Sequence, residues 1–107
     1  MHAGPIAGDR FSAAVWWPDL DAEAAESEWK KLGEWVTDVL PRSFGAGDAV
    51  RPCWFRHVEV VDVLSALRTA WAGAYKNPTA LATAAMDWQD RYLPAAMGRI
   101  EALYRQT

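Results

Sequence analysis

Residues 57–75, HVEVVDVLSALRTAWAGAY, decide the fold class. Val58, Val60, Val61 and Val63 have the β-branched content of a strand, but a half-buried strand alternates apolar and polar positions, and Val60 and Val61 are adjacent. The apolar set continues as Val60, Leu64, Leu67, Trp71 and Tyr75, at steps of four, three, four and four, which keeps one face of a helix oily. Glu59, Asp62, Arg68 and Lys76 fall on the other faces. A helix from about His57 to Tyr75 is the expectation.

The same period extends in both directions. Upstream, Ala25, Trp29, Leu32, Val36 and Val39 form one stripe, while Glu23, Glu26, Lys30, Glu34 and Asp38 mostly avoid it. Asp19 and Asp21 suit the start of this first helix, since a carboxylate accepts from unpaired backbone N–H groups at the positive end of the dipole. Pro41 sets its limit near Leu40, and Ser43 to Asp48, with Gly45 and Gly47, reads as a loop. Downstream, Asn77-Pro78 reads as the start of a third helix, because Asn caps free donors and proline at the first helical position loses no bond. Its stripe runs Leu81, Ala85, Trp88, Tyr92, then shifts to Leu93, Met97, Ile100, Tyr104, with Pro94 at the change. The shift implies either a kink or two surfaces on one rod. No internal repeat is evident.

These elements make an all-α protein, a small three-helix bundle with an N-terminal aromatic arm. The arm, Phe11 to Trp17, is closed by Pro18 and fits either an extended segment or a helical turn. Its 107 residues suit a single helical domain with one modest core, residues 1–10 forming a mobile lead-in. No apolar run is long enough to span a bilayer, and the first residues lack a secretory pattern, so a cytoplasmic protein is expected. With Cys53 as the lone cysteine, no internal disulfide and no multi-cysteine metal site can form.

Chemistry is sparsely signalled. Cys53 and His57 could form a thiol–imidazole pair, but nothing signals a third group to orient the histidine or donors for an oxyanion, so a capping or interface histidine and a packed cysteine are expected. Glu23, Glu26, Glu28 and Glu34 can pair with Lys30 or Lys31 on a solvated face. Gly45 and Gly47 match no phosphate-binding motif. No catalytic, cofactor-binding or metal-ligating set is assigned, and the chain reads as non-enzymatic.

The seven tryptophans are the informative feature. Trp29, Trp71 and Trp88 lie on the three seams and are expected in the core. Each buried aromatic removes about 150–250 Å² from water, worth roughly 4–6 kcal/mol at ~25 cal/mol per Å². A bundle this small has limited interior, so the others are expected to be partly uncovered unless the arm folds back over them. Trp16, Trp17, Trp35 and Trp54, with Met97, Ile100 and Tyr104, are therefore the candidate contacts for a protein partner or for self-association. The alternative is a nucleic-acid-associated accessory protein using Arg51, Arg56, Arg91 and Arg99. It is disfavoured because residues 1–50 carry nine acids against four bases, while residues 51–107 carry only seven bases against five acids.

Cys53-Trp54 followed by His57, Glu59, Val60, Leu64, Leu67 and Trp71, then Trp88 with Asp90 and Pro94, resembles a small actinobacterial family catalogued as a domain of unknown function. Its members are frequently encoded on conjugative and other mobile elements. The resemblance spans residues 53–97 and rests on tryptophan spacings and helix caps. The family pattern places a histidine near the last tryptophan, where this chain has Arg91. The resemblance implies an accessory mobile-element protein and no reaction.

Overall fold

Asp21 starts the first helix. Its Oδ1 accepts from the Ala24 N–H at 2.8 Å, satisfying one of the donors that a helix start leaves free. The computed structural model describes residues 14–45 and 50–106. The expectations for residues 1–10, for the start of the Phe11–Trp17 segment and for residues 46–48 of the Ser43–Asp48 loop lie outside the described residues. Helix α1 consists of α-helical Ala22–Glu34, a π-helical turn Trp35–Val39, and α-helical Leu40–Phe44. Helix α2 is Val58–Tyr75. Helix α3 has the same composite build: Ala84–Asp87, a π-helical turn Trp88–Tyr92, then Leu93–Arg105. Short 3-10 turns at Trp17–Asp19 and Trp54–Arg56 precede α1 and α2. The protein is a small all-α three-helix bundle, with no strand among the described residues.

The first rod does not end at Leu40. A proline inside a helix lacks the N–H for its own bond and pushes its ring against the carbonyl four residues back. Here the turn before Pro41 is widened: the Leu40 N–H reaches five residues back to the Trp35 carbonyl, and the helix continues to Phe44. Gly45, at φ 63°, then ends it in the left-handed region, donating back to the Pro41 carbonyl at 3.0 Å. The third rod handles Pro94 identically, with the Leu93 N–H reaching the Trp88 carbonyl.

The parallel is written in the sequence. EWVTDVLPRSFG at 34–45 and DWQDRYLPAAMG at 87–98 share an acid, Trp, four residues, Leu-Pro, two residues, a bulky apolar side chain and Gly. The expectation of no internal repeat is thereby corrected. The repeat is short, and it surfaces only when the two π turns are laid side by side. The π turn also explains the shift of stripe in α3. One extra residue per turn makes the inward step from Trp88 to Leu93 five rather than four, after which Met97, Ile100 and Tyr104 follow at helical steps. Pro94 separates two halves of a single core-facing surface, not two surfaces.

The third helix starts six residues later than Asn77-Pro78 suggests. The Asn77 side chain accepts from the Thr79 N–H at 3.1 Å and the Thr79 hydroxyl at 2.9 Å, and Ala80 N–H closes a turn onto the Asn77 carbonyl at 3.1 Å. A second turn, Ala84 N–H to Leu81 carbonyl at 3.0 Å, follows. Leu81, the expected first member of the inward stripe, is 80% exposed, so no burial stabilises a helical turn there.

The core lies where the two repeated turns meet α2. Trp35 and Trp88 pack edge to face at 6.2 Å, Trp71 lies 5.8 Å from Trp35, and Phe44 and Tyr75 close on Trp88 at 4.6 and 6.2 Å. Leu40, Leu64, Val60 and Ile100 fill the remaining space and are fully buried. Offset and edge-to-face geometry adds about 0.5–1.5 kcal/mol per aromatic pair beyond area burial.

Candidate interaction surface

Two places on the molecule combine concavity with polar or reactive groups. The first is the corner before α2. There the 3-10 turn Trp54–Arg56 brings Cys53 Sγ to 3.6 Å from His57 Nε2, so the thiol–imidazole pair considered from the sequence does form. His57 faces the edge of the Tyr104 ring at 5.4 Å, an aromatic contact rather than an orienting carboxylate. Tyr104 in turn accepts from the Arg51 N–H at 3.2 Å and carries the Arg51 guanidinium 4.5 Å above its ring. Burial pushes the Tyr104 phenol above its ordinary value, opposed by the Arg51 hydrogen bond. A cavity of about 420 Å³ opens beside His57 between Arg56, Glu59, Leu103 and Gln106. Cys53, His57, Arg51 and Tyr104 thus form a packed lock joining the loop before α2 to the end of α3.

The second place is a groove between α2 and α3. On α2, Asp62, Ala66, Ala70 and Gly73 recur at steps of four, four and three, on the flank away from Val60, Leu64 and Trp71, with Val63 and Leu67 lining the groove where it meets the core. On α3 the opposing wall is Tyr92, Ala95, Ala96 and Arg99. Together they bound a cavity of about 540 Å³. A second cavity, of about 330 Å³, continues it past Ala70 and Tyr92 toward Leu81, Ala84 and Asp87. Alanine and glycine leave the backbone close to the surface, so the floor is shallow and apolar. Asp62 and Arg99 stand exposed at one end of the groove, and Tyr92, 51% exposed, stands near its middle.

The residues singled out from the sequence are distributed differently from expectation. Trp35, Trp54, Ile100 and Tyr104 are buried, which removes them as accessible contacts. Trp35 follows the buried Leu32 at a helical step of three, the extra residue of the α3 π turn brings Ile100 into the core, and the 3-10 turn tucks Trp54 inward. Met97 is half-buried against the same core. Trp17 folds back, its indole N–H donating to Ser65 Oγ at 3.1 Å and its ring packing tilted against Trp29 at 5.1 Å, which leads on to Trp54 at 6.0 Å. The arm therefore covers part of the aromatic surplus, and Trp16, 62% exposed, is the most exposed indole among the described residues. Trp29, expected in the core, is 39% exposed under this arm, and Trp71 is half-buried at the edge of the central cluster. Of the four arginines weighed for nucleic acid, Arg51 lies on Tyr104 and Arg56 near Phe55, whereas Arg91 and Arg99 are exposed at separate points of α3.

The groove residues themselves went unread because small side chains carry no hydrophobic signal. The available sign was the repeated alanine at helical spacing opposite an oily stripe. No family model, curated protein or solved structure matches the chain, so this surface is read from its own chemistry. No helix among the described residues is long and apolar enough to cross a membrane.

Proposed function

We propose that the chain is a non-enzymatic interaction module, an accessory protein of a mobile element, that binds a protein partner or itself through exposed apolar helix surface. The mobile-element part rests on the resemblance over residues 53–97. The binding part is supported by one observation, the continuous groove between α2 and α3 with its alanine floor and exposed Tyr92. A helix or a small helical face fits such a groove because small residues let backbones approach closely, and an exposed aromatic beside them gains much buried area at little entropic cost. The contact set moves accordingly from the buried indoles to Ala66, Ala70, Tyr92, Ala95 and Arg99, with Trp16 outside it.

The test is an Ala70→Trp variant, which fills the groove at a half-buried position bordering the core, so its fold is checked alongside. Wild-type protein is expected to self-associate or to capture a specific partner from its host, and the variant, with an unchanged circular dichroism spectrum and unfolding midpoint, to do neither. A wild-type chain that remains alone in both assays overturns the reading.

A further inference from the structure

The groove carries more than an apolar floor: its two walls are complementary to each other. The α3 wall carries the exposed Tyr92 and the basic Arg99 beside Ala95 and Ala96, and the α2 wall carries the acidic Asp62 and the small Ala66 and Ala70 beside Val63 and Leu67. The helices run antiparallel, so the members of each pair lie level along the groove: Arg99 lies level with Asp62, and Tyr92 with Ala70, which border the same cavities. Among the described residues the ion pair formed within the chain is Lys31–Glu28, at 3.3 Å, and neither Asp62 nor Arg99 has one.

We propose that the occupant of this groove is a second copy of the same chain, docked face to face about a two-fold axis running along the groove. This rests on the interaction reading above and names the partner. Rotation about that axis keeps every residue at its level while exchanging the walls, so α2 of one copy lies on α3 of the other. Arg99 then faces the second copy's Asp62, and Asp62 its Arg99. The same rotation sets each Tyr92 against the small-residue floor at Ala70 of the other copy. An isologous interface requires a patch to complement itself in this way, with every contact made twice. An axis across the groove would instead set α2 on α2 and carry Asp62 to the far end, away from Arg99. The resulting assembly is a layer of four helices with the small residues at its centre, the arrangement in which helix pairs pack at short range.

The experiment is sedimentation equilibrium of the full chain from micromolar to millimolar concentration, with Asp62→Arg, Arg99→Asp, the double exchange Asp62→Arg/Arg99→Asp, and Ala70→Trp. The wild type is expected to move from monomer to dimer. Each single reversal places like charges together twice per interface and should weaken dimerisation roughly tenfold or more. The double exchange should restore it to within about threefold, because it recreates both pairs with signs exchanged. Ala70→Trp should abolish it, and circular dichroism reports whether each variant is folded. A wild type that stays monomeric at every concentration overturns the proposal, as does a dimer indifferent to the single reversals or not rescued by the exchange. A monomeric chain that nonetheless captures a different protein through an Ala70-dependent contact overturns self-docking alone and leaves the interaction reading standing.

Discussion

The two turns at Trp35–Gly45 and Trp88–Gly98 have matching sequences and part company in two respects. Both widen to a π turn, both bury the tryptophan, and both carry the helix through a proline. Yet the Trp88 indole N–H donates to the Leu67 carbonyl at 3.0 Å, whereas the Trp35 Nε1 is buried with no hydrogen-bond partner among the described residues. Gly45 ends its helix at positive φ, while Gly98 sits within α3, which runs on to Arg105. The same local string therefore fixes the turn but not what happens beyond it. After Gly98 come Ile100, Leu103 and Tyr104, which bury against α2 and the loop before it; after Gly45 the sequence offers Ala46, Gly47 and Asp48 and nothing to bury before Val50. Continuation of the helix follows from the packing that awaits it.

The sharpest way to break the comparison is to change the residue count of α3. Removing Ala95 from the regular segment rotates Ile100, Leu103 and Tyr104 by about 100° away from the core. The expected loss is more than about 4 kcal/mol, two or more buried side chains at ~1.5–3 kcal/mol each. Removing Asp90 from the π turn, together with Pro94→Ala so that an ordinary turn can form, restores a four-residue step from Trp88 to Leu93. Its cost is expected to stay near 1–2 kcal/mol, within the common range for single substitutions. Urea unfolding of both deletions checks this, and equal losses would mean that the extra residue is not confined to the turn.

Next in size is the contrast between the tryptophans. Trp88→Phe removes indole volume from a site with no exposure and strips a hydrogen bond, for an expected loss of about 2–4 kcal/mol. Trp35→Phe removes similar volume but also an unsatisfied buried donor, whose desolvation opposes folding, so the expected loss is about 1–2 kcal/mol. The two chemical denaturation midpoints decide it, and a Trp35 variant at least as damaged as the Trp88 one would contradict the account.

The glycines should respond with opposite signs. Among the described residues neither has a neighbouring atom within 4 Å of where a Cβ would sit, so backbone conformation decides the expected outcome. Gly45→Ala, at φ 63°, should cost about 1 kcal/mol, and Gly98→Ala, inside a helix, should add about 0.5–1 kcal/mol. Thermal melts of the two variants provide the measurement.

The smallest effect concerns Tyr104, at the end of the extension that the first turn lacks. Its phenol is held above the ordinary value, so the folded chain retains the proton after the unfolded chain has released it. Stability from this source is complete below the ordinary phenol value of about 10 and declines as pH rises from there through the folded-state value. Tyr104→Phe should flatten the alkaline side of a stability–pH profile while leaving the neutral region's slope unchanged. An equally steep alkaline decline in the variant would assign the effect to another group.

Some of this was legible in advance, for reasons visible in particular residues. The steps linking Val60, Leu64, Leu67, Trp71 and Tyr75 gave α2 almost to the residue, since a long uninterrupted stripe admits one period. The Asp21 cap was also readable as local chemistry, whereas the end expected near Leu40 was misplaced, because Pro41 is absorbed by the widened turn and the helix runs on to Phe44. Asn77-Pro78 misled because a capping side chain satisfies a turn as readily as a helix, and only the exposure of Leu81 separates the two. The bundle's surface was harder still: an excess of indole is countable, but which indole stays outside depends on what else reaches the core first.

By itself the sequence determined the helical period, the three-helix class and the presence of more aromatic surface than one bundle requires, because these depend on spacing between near neighbours. Only the tertiary structure decided that two prolines would be absorbed by widened turns, that Trp35 and Trp54 would be enclosed while Trp16 and Tyr92 stayed out, and that alanines from two helices would meet as one groove. Those outcomes depend on which distant side chains compete for the same small interior, and a one-residue change of phase in a helix is enough to reverse them.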